Sequence, residues 1–225
     1  FRGLREDKDP SEVFIEIPET TMIITHPDKV LFSKAKATKS DLVRYYEDVA
    51  EQILPHVASR PLSLVRCPHG ADGECFFQKH LTPNRGSEIH TGSFNAREKG
   101  EKQKLHFIDS EEALTELVQL GVLEIHVWGA KVTRLLYPDV LVFDLDPDPT
   151  VKWPQVRDAA LEVKDTLESL GLESFIKVTG GKGVHLHVPI EPDVRIDRAK
   201  EFTKAVAQLL MRQHPERYTS ELPKA

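Results

Sequence analysis

The stretch from Phe175 to Ile190, FIKVTGGKGVHLHVPI, limits the possible folds more than any other part of the chain. Two runs of strand character flank Gly180-Gly181-Lys182-Gly183, so they pair antiparallel as a hairpin. The alternation in Val184-His185-Leu186-His187-Val188 places both histidines on one face and the aliphatic residues on the other. Glycines let the backbone N–H groups of the turn approach an anion, Lys182 adds a point charge and Thr179 a hydroxyl, a combination suited to a triphosphate. It is not a Walker A loop, because the spacing differs and a strand follows where a helix is needed. Taken alone, the turn also reads as a glycine hairpin with a surface lysine.

A second stretch, LVFDLDPDP from Leu141 to Pro149, supplies the opposite charge. On a strand, Asp144 and Asp146 share one face while Phe143 and Leu145 turn to the apolar side. Two carboxylates roughly 6–7 Å apart at Cα can converge on a hard cation of the Mg²⁺ or Mn²⁺ type, which takes oxygen ligands and keeps positions open for substrate phosphates. Pro147 and Pro149 end the ladder, so the acids are expected at a strand end near solvent. Asp144, Asp146 and Asp148 also have the opening spacing of a calcium loop. That loop needs Gly at its sixth position and Glu at its twelfth, where Pro149 and Gln155 stand. A polar strand end running into a proline turn stays open as the plainer reading.

The rest of the chain supplies strands and helices in alternation. Residues 1–24 read as an N-terminal arm and edge strand, with a short alternating run from Val13 to Ile17 and a strand from Met22 to Thr25; a turn follows at His26-Pro27. Lys29, Lys34, Lys36 and Lys39, by default a solvated face, lead into a helix expected to be capped by Ser40. That helix carries Leu42, Tyr45, Tyr46, Val49 and Ile53 and is expected to end at Pro55. Pro61 to Arg66 reads as a strand. Cys67, His69, Cys75 and His80 fit no standard zinc spacing, and two cysteines suggest no disulfide framework, which favours a reducing cytoplasm.

Phe76 and Phe77 are adjacent on a predicted strand, so one anchors in the core while the other, beside Lys79 and His80, can stack on a base; burial of both is the alternative. Residues 83–104 read as a mobile basic loop. Leu105 to Ile108 forms a strand, and Ser110 caps a helix through Leu114, Leu117 and Val118 that Gly121 stops. Leu123 to Trp128 is a strand with His126 on one face, readable as a core histidine. Pro154, as the first helical residue, opens a helix carrying Val156, Ala160, Val163, Leu167 and Leu170 that Gly171 closes. Asp197 caps a last helix with Phe202, Val206 and Leu209 on its apolar side. The sum is an α+β fold of mixed, largely antiparallel sheets flanked by helices.

Composition bears on partners. With 40% hydrophobic and 29% charged residues the chain is expected to be globular, and no apolar run is long enough to imply a membrane. A net charge of −6 argues, by itself, against a polyanion. Residues 26–106, however, hold 13 Lys and Arg against 10 Asp and Glu, and local clustering decides nucleic-acid binding. Such binding should be modest and fall steeply with salt. The chain starts at Phe1 without Met and with no basic-then-apolar leader before it, as expected of an excised or partly ordered piece.

Phe143-Asp144-Leu145-Asp146-Pro147 followed by Lys177-Val178-Thr179-Gly180-Gly181-Lys182-Gly183-Val184-His185 resembles the first two motifs of the archaeo-eukaryotic primase superfamily. The match is most similar to the polymerase domain of bacterial DNA ligase D. Thr25 to Phe32, Gly73 to His80 and Glu124 to Gly129 extend the resemblance. It implies a primase-polymerase catalytic core, one domain over 1–225 without its C-terminal part, in which 25–135 binds DNA and 136–225 binds metal and nucleotide. The implied activity is a nucleotidyltransferase that prefers ribonucleotides and fills DNA ends and gaps in non-homologous end joining.

By the same resemblance, Asp144 and Asp146 are catalytic and hold two Mn²⁺ or Mg²⁺ ions. Thr179, Lys182, His185, His126 and Arg66 bind the nucleoside triphosphate, Lys29 and Lys39 a DNA 5′-phosphate, and Phe76, Phe77 and Lys79 the template. Ligase and Ku-type end-joining proteins are the implied partners, in the cytoplasm at the nucleoid. The family's third metal-binding aspartate lies on a later strand, and Asp193, Asp197 and Glu221 match nothing in its motif, so these 225 residues are expected to polymerise weakly or not at all. The alternatives are a non-catalytic module that binds 5′-phosphorylated ends, and a metal-dependent phosphoesterase.

Overall fold

The computed structural model describes residues 14–16, 23–82, 87–95 and 102–219. Two compact units, 1–133 and 134–225, each surround an apolar core of their own. Every strand pairing among the described residues is antiparallel, which gives the α+β architecture expected from the hairpin.

In the first unit β1 (Phe14–Glu16) pairs with β2 (Ile23–Thr25), and β3 (Val30–Phe32) with β4 (Ala37–Thr38). The helices α1 (Lys39–Asp48) and α2 (Ala50–Val57) follow. β5 (Leu62–Arg66) runs between β6 (Phe76–Gln78) and β9 (Val122–Val127). A separate hairpin joins β7 (His90–Phe94) to β8 (Gln103–Phe107), and α3 (Glu111–Gln119) precedes β9. Leu62 and Leu64 of β5 are buried in a core shared with Val43 and Tyr46 of α1 and Leu114, Leu117 and Val118 of α3. The spacing of these positions on each element accounts for that burial.

Several local expectations are corrected here. The cap of α1 is Thr38 rather than Ser40: its hydroxyl accepts from Asp41 N at 3.2 Å while Asp41 Oδ2 accepts from Thr38 N at 2.8 Å. That reciprocal pair satisfies two otherwise unbonded donors and sets Lys39 in the first turn. Pro55 does not end the helical run but lies within α2, which starts afresh after Val49 leaves helical geometry. The hydrogen bond that Pro55 cannot donate would have gone to Glu51, an exposed residue whose carbonyl water can reach.

Residues 90–94 and 103–104 belong to the β7–β8 hairpin rather than to a loop, and Leu105 to Phe107 lie in the strand expected there; 83–86 and 96–101 lie outside the described residues. Cys67 and Cys75 are joined in a disulfide with 4.3 Å between Cα atoms, contrary to the expectation of unpaired thiols. Two successive turns, Gly70 N to Cys67 O and Gly73 N to Gly70 O, fold the intervening loop back on itself and bring the cysteines together.

In the second unit β12 (Val184–Pro189) lies between β10 (Val140–Leu145) and β11 (Phe175–Val178). α4 (Trp153–Ser169) and α5 (Ile196–Gln213) bury Val156, Val163, Leu167, Val206 and Leu210 in a core with Leu141, Phe143, Leu186 and Val188 of the sheet. Pro154 is the second residue of α4. Arg195, not Asp197, is the cap of α5; Asp197 sits in its first turn, where a carboxylate suits the helix dipole. Ala199, Val206 and Leu210 set the buried face of α5, so Leu209 stays 39% exposed. Beyond α5, Glu162 of α4 accepts from Tyr218 Oη at 2.6 Å and pairs with Arg217 at 2.9 Å and His214 at 2.7 Å, tying residues 214–218 to α4.

Candidate functional site

Strand register builds the charged face of the second unit. Asp144 of β10 is opposite His185 of β12, and Lys177 of β11 is opposite the same histidine from the other side. Side-chain alternation therefore sets an acid, an imidazole and an ammonium across one face, while Phe143, Leu186 and Val184 are buried. Asp144 Oδ1 lies 3.4 Å from His185 Nε2, and the rings of His185 and His187 stack at 6.0 Å. β10 ends at Leu145, so Asp146 stands one residue past the strand, exposed.

The third acid of the run is otherwise engaged. Asp148 Oδ1 accepts from Thr150 Oγ1 at 2.7 Å and from Thr150 N at 2.9 Å, and these bonds hold its carboxyl below the usual range, with Lys182 lowering it further. Asp144 and Asp146 remain exposed, and the charge of Lys182 is felt at the acid loop. Gly183 makes that approach possible. A Cβ there would stand 2.3 Å from the Leu145 carbonyl oxygen and 3.3 Å from Pro147 Cδ, so only glycine lets the bend lie against the end of β10. Gly180, at φ +82°, takes the left-handed conformation the turn needs. Thr179 and Lys182 are exposed on the same bend. The donor set, two exposed carboxylates beside an imidazole, fits one hard divalent ion completed by phosphate oxygens. Among the described residues no group of three or more His, Cys, Asp or Glu could hold an ion unaided.

The first unit brings Lys29 and Lys39 together. Lys39 N donates to Lys29 O at 2.8 Å across the β3–β4 turn. Lys39 is 7% exposed, and its ammonium donates to Thr25 O at 2.9 Å and to Gln119 Oε1 at 2.6 Å. Burial, followed by the charge of Lys29, pulls its pKa down from 10.5 to about 8. Lys29 Nζ donates to the Pro68 carbonyl in the disulfide-closed loop.

Phe76 and Phe77 are 44% and 68% exposed, which corrects the expectation that one of them anchors in the core. Among the described residues β6 is an edge strand paired with β5 alone, and the Arg66 guanidinium covers Phe76 at 5.8 Å from the ring centroid. Arg66 is itself held by Leu120 O and Gln78 Oε1, both at 2.8 Å. His126 packs its ring 5.5 Å from Phe77 and bonds Glu124 Oε2 at 2.7 Å, so the stacking candidate and the phosphate candidate are neighbours. Lys79 is exposed just beyond β6.

Sequence reasoning missed Gln119 and Glu124. Gln119, the last residue of α3, gave no periodic or motif signal, whereas Glu124 alternates with His126 on one strand face and could have been paired with it.

Known proteins resemble this chain in sequence and in fold. A family model described as LigD, primase-polymerase domain, matches residues 38–225. The chain is 36% identical over 240 residues to the multifunctional non-homologous end joining protein LigD of Pseudomonas aeruginosa, covering 98% of this chain and 28% of that protein. It is 31% identical over 202 residues to the bifunctional non-homologous end joining protein LigD of Bacillus subtilis, covering 88% of this chain and 31% of that one. It thus spans about a third or less of these relatives. Among solved structures, the polymerase domain from Mycobacterium tuberculosis Ligase D in complex with DNA superposes with a TM-score of 0.79 at 32% identity, over 91% of this chain and 74% of that one.

Proposed function

Because this chain belongs to the LigD primase-polymerase domain family, we propose that it is a DNA-dependent nucleotidyltransferase acting at broken ends and gaps in end joining. The observation that carries the reading is the second unit's sheet, where Asp144 faces His185 and the Gly183 bend lies against the end of β10. In the proposed reaction a primer 3′-hydroxyl attacks the α-phosphate of a nucleoside triphosphate and pyrophosphate leaves.

Asp144 and Asp146 would hold the divalent ion, Mn²⁺ or Mg²⁺. Bound there, it would neutralise phosphate charge and stabilise the attacking and leaving oxygens. Lys182, Thr179, the bend's N–H groups and His185 orient the triphosphate. Lys29 and Lys39 take the 5′-phosphate across a gap, and Phe76, Phe77 and Lys79 the template. Ribonucleotide preference, and ligase and Ku-type partners, belong to the same proposal.

Nucleotide addition and end binding separate by mutation. Asp144→Ala with Asp146→Ala should abolish primer extension and spare binding to 5′-phosphorylated DNA, and Lys29→Ala with Lys39→Ala should remove the preference for that phosphate. Normal extension by the double-acid variant would refute the assignment of catalysis to these two carboxylates; no extension by the wild type, with 5′-phosphate binding intact, would leave the chain an end-binding module.

A further inference from the structure

We propose that Gln119 is the positioning residue of the end-binding site, holding the Lys39 ammonium in place through a neutral acceptor so that its full charge remains for a DNA 5′-phosphate. The inference rests on the reading of Lys29 and Lys39 given above and adds to it a residue that touches neither DNA nor nucleotide. Gln119 makes three bonds at the meeting of three elements. Its Oε1 accepts from Lys39 Nζ at 2.6 Å and from Thr25 N at 3.1 Å, and its Nε2 donates to Thr25 Oγ1 at 2.6 Å. The bonds to Thr25 fix which amide atom faces Lys39, because only the oxygen can accept from both N–H groups.

An ammonium has three donors, and Thr25 O and Gln119 Oε1 occupy two of them among the described residues. One donor is left for a ligand, and its direction follows from the other two. The chemistry of the acceptors matters as much as their placement. A buried lysine is commonly paired with a carboxylate, which would cancel the charge a phosphate needs. Here an amide oxygen faces Lys39 from α3, a backbone carbonyl faces it from β2, and the charged neighbour, Lys29 from the turn before β3, is another cation. The lysines repel each other, and an incoming dianion relieves that repulsion. A carboxamide at 119 keeps the ammonium oriented without quenching it.

The test uses the whole chain, two variants and two readouts. Gln119→Leu removes the acceptor; Gln119→Glu keeps it and adds the charge the proposal says must be absent. In ¹³C-labelled protein the Cε resonance of Lys39 should titrate near pH 8 in the wild type, lower in Gln119→Leu and higher in Gln119→Glu. Gapped duplexes differing only in a 5′-phosphate or 5′-hydroxyl give the second readout. Both variants should lose about tenfold of the phosphate preference at pH 7 while binding the hydroxyl duplex as the wild type does. If Gln119→Leu fails to fold, Gln119→Glu carries both readouts.

A wild type that prefers the phosphate, with variants that keep both the preference and the Lys39 midpoint, would reduce Gln119 to a structural residue and overturn the inference alone. A wild type blind to the 5′-phosphate would overturn the lysine-pair reading and the inference with it, even if the Lys39 midpoint moves as expected.

Discussion

The two units assemble charge in different ways. In the second, register alone does the work: residues opposite one another on β10, β12 and β11 set Asp144, His185 and Lys177 across one face, and the turn after β11 brings Lys182 within range of the acid loop. In the first, the charged groups are placed by contacts distant in sequence. Lys39 is held by Gln119, 80 residues away, and Lys29 by Pro68, 39 residues away. The lesson concerns exposure. A site built by register can leave its side chains open to solvent, whereas one held by tertiary contacts draws a lysine into the interior and lowers its proton affinity.

The sharpest way to break this comparison is to remove the acids. Asp144→Ala with Asp146→Ala should reduce nucleotide addition at least about 10²–10³-fold, the scale of losing preorganised electrostatic groups, with the phosphate preference in DNA binding unchanged. A matched loss of both would show that the two functions are not separable. Next in size is the close approach at the bend. Gly183→Ala should destabilise the protein by about 1–3 kcal/mol in urea titrations, because its Cβ meets the Leu145 carbonyl. Gly181→Ala, whose Cβ meets only Thr179 Oγ1 at 3.6 Å, should fold as the wild type does. Equal effects of the two substitutions would remove the argument that the bend must lie against β10.

A smaller effect sharpens the comparison through pH. With its pKa near 8, Lys39 is charged at pH 7 and neutral by pH 9, so the preference for a 5′-phosphate should decline as pH rises through about 8. Among the described residues of the second unit no lysine is buried in this way, so nucleotide binding there should lack that midpoint; binding isotherms at pH 7 and 9 distinguish the two. The smallest effect concerns His106. Its Nε2 accepts from Leu81 N at 2.9 Å, so the proton of the neutral ring is on Nδ1, which bonds Thr91 Oγ1 at 2.9 Å. Burial, and then Lys104 and His80, lower its pKa from 6.5. The unfolded chain therefore takes up a proton first. The stability His106 confers is present above about pH 6.5 and is lost as pH falls through the folded value. The urea midpoint should drop between pH 7.5 and 5, and less so in His106→Gln.

How much of this was legible follows from the same distinction. The hairpin, the face shared by His185 and His187, and the exposed acids follow from period-two alternation and proline, which are local signals. Lys29 and Lys39 could be named from their motif, but the burial of Lys39 and the bond from Lys29 to Pro68 could not, because Gln119 and Pro68 lie on elements whose packing no local pattern specifies. The helix starts failed at single positions for a related reason. Thr38, Ser40 and Asp41 are all capping residues, and only the reciprocal bond between Thr38 and Asp41 decides among them. Strand alternation implies one covered face, so one of Phe76 and Phe77 is expected inside, yet among the described residues β6 is an edge strand and Arg66 covers Phe76. The disulfide depends on two turns in a nine-residue loop, from Cys67 to Cys75, that the cysteine spacing does not encode.

Mn²⁺ itself reports most directly on whether the paired acids and the glycine bend form one nucleotide site. In an amide spectrum of the labelled chain, substoichiometric Mn²⁺ with a nucleoside triphosphate should selectively broaden residues 144–146 and 180–185, and Asp144→Ala with Asp146→Ala should abolish the effect. Broadening that leaves either segment untouched, or that persists in the double variant, would contradict the account.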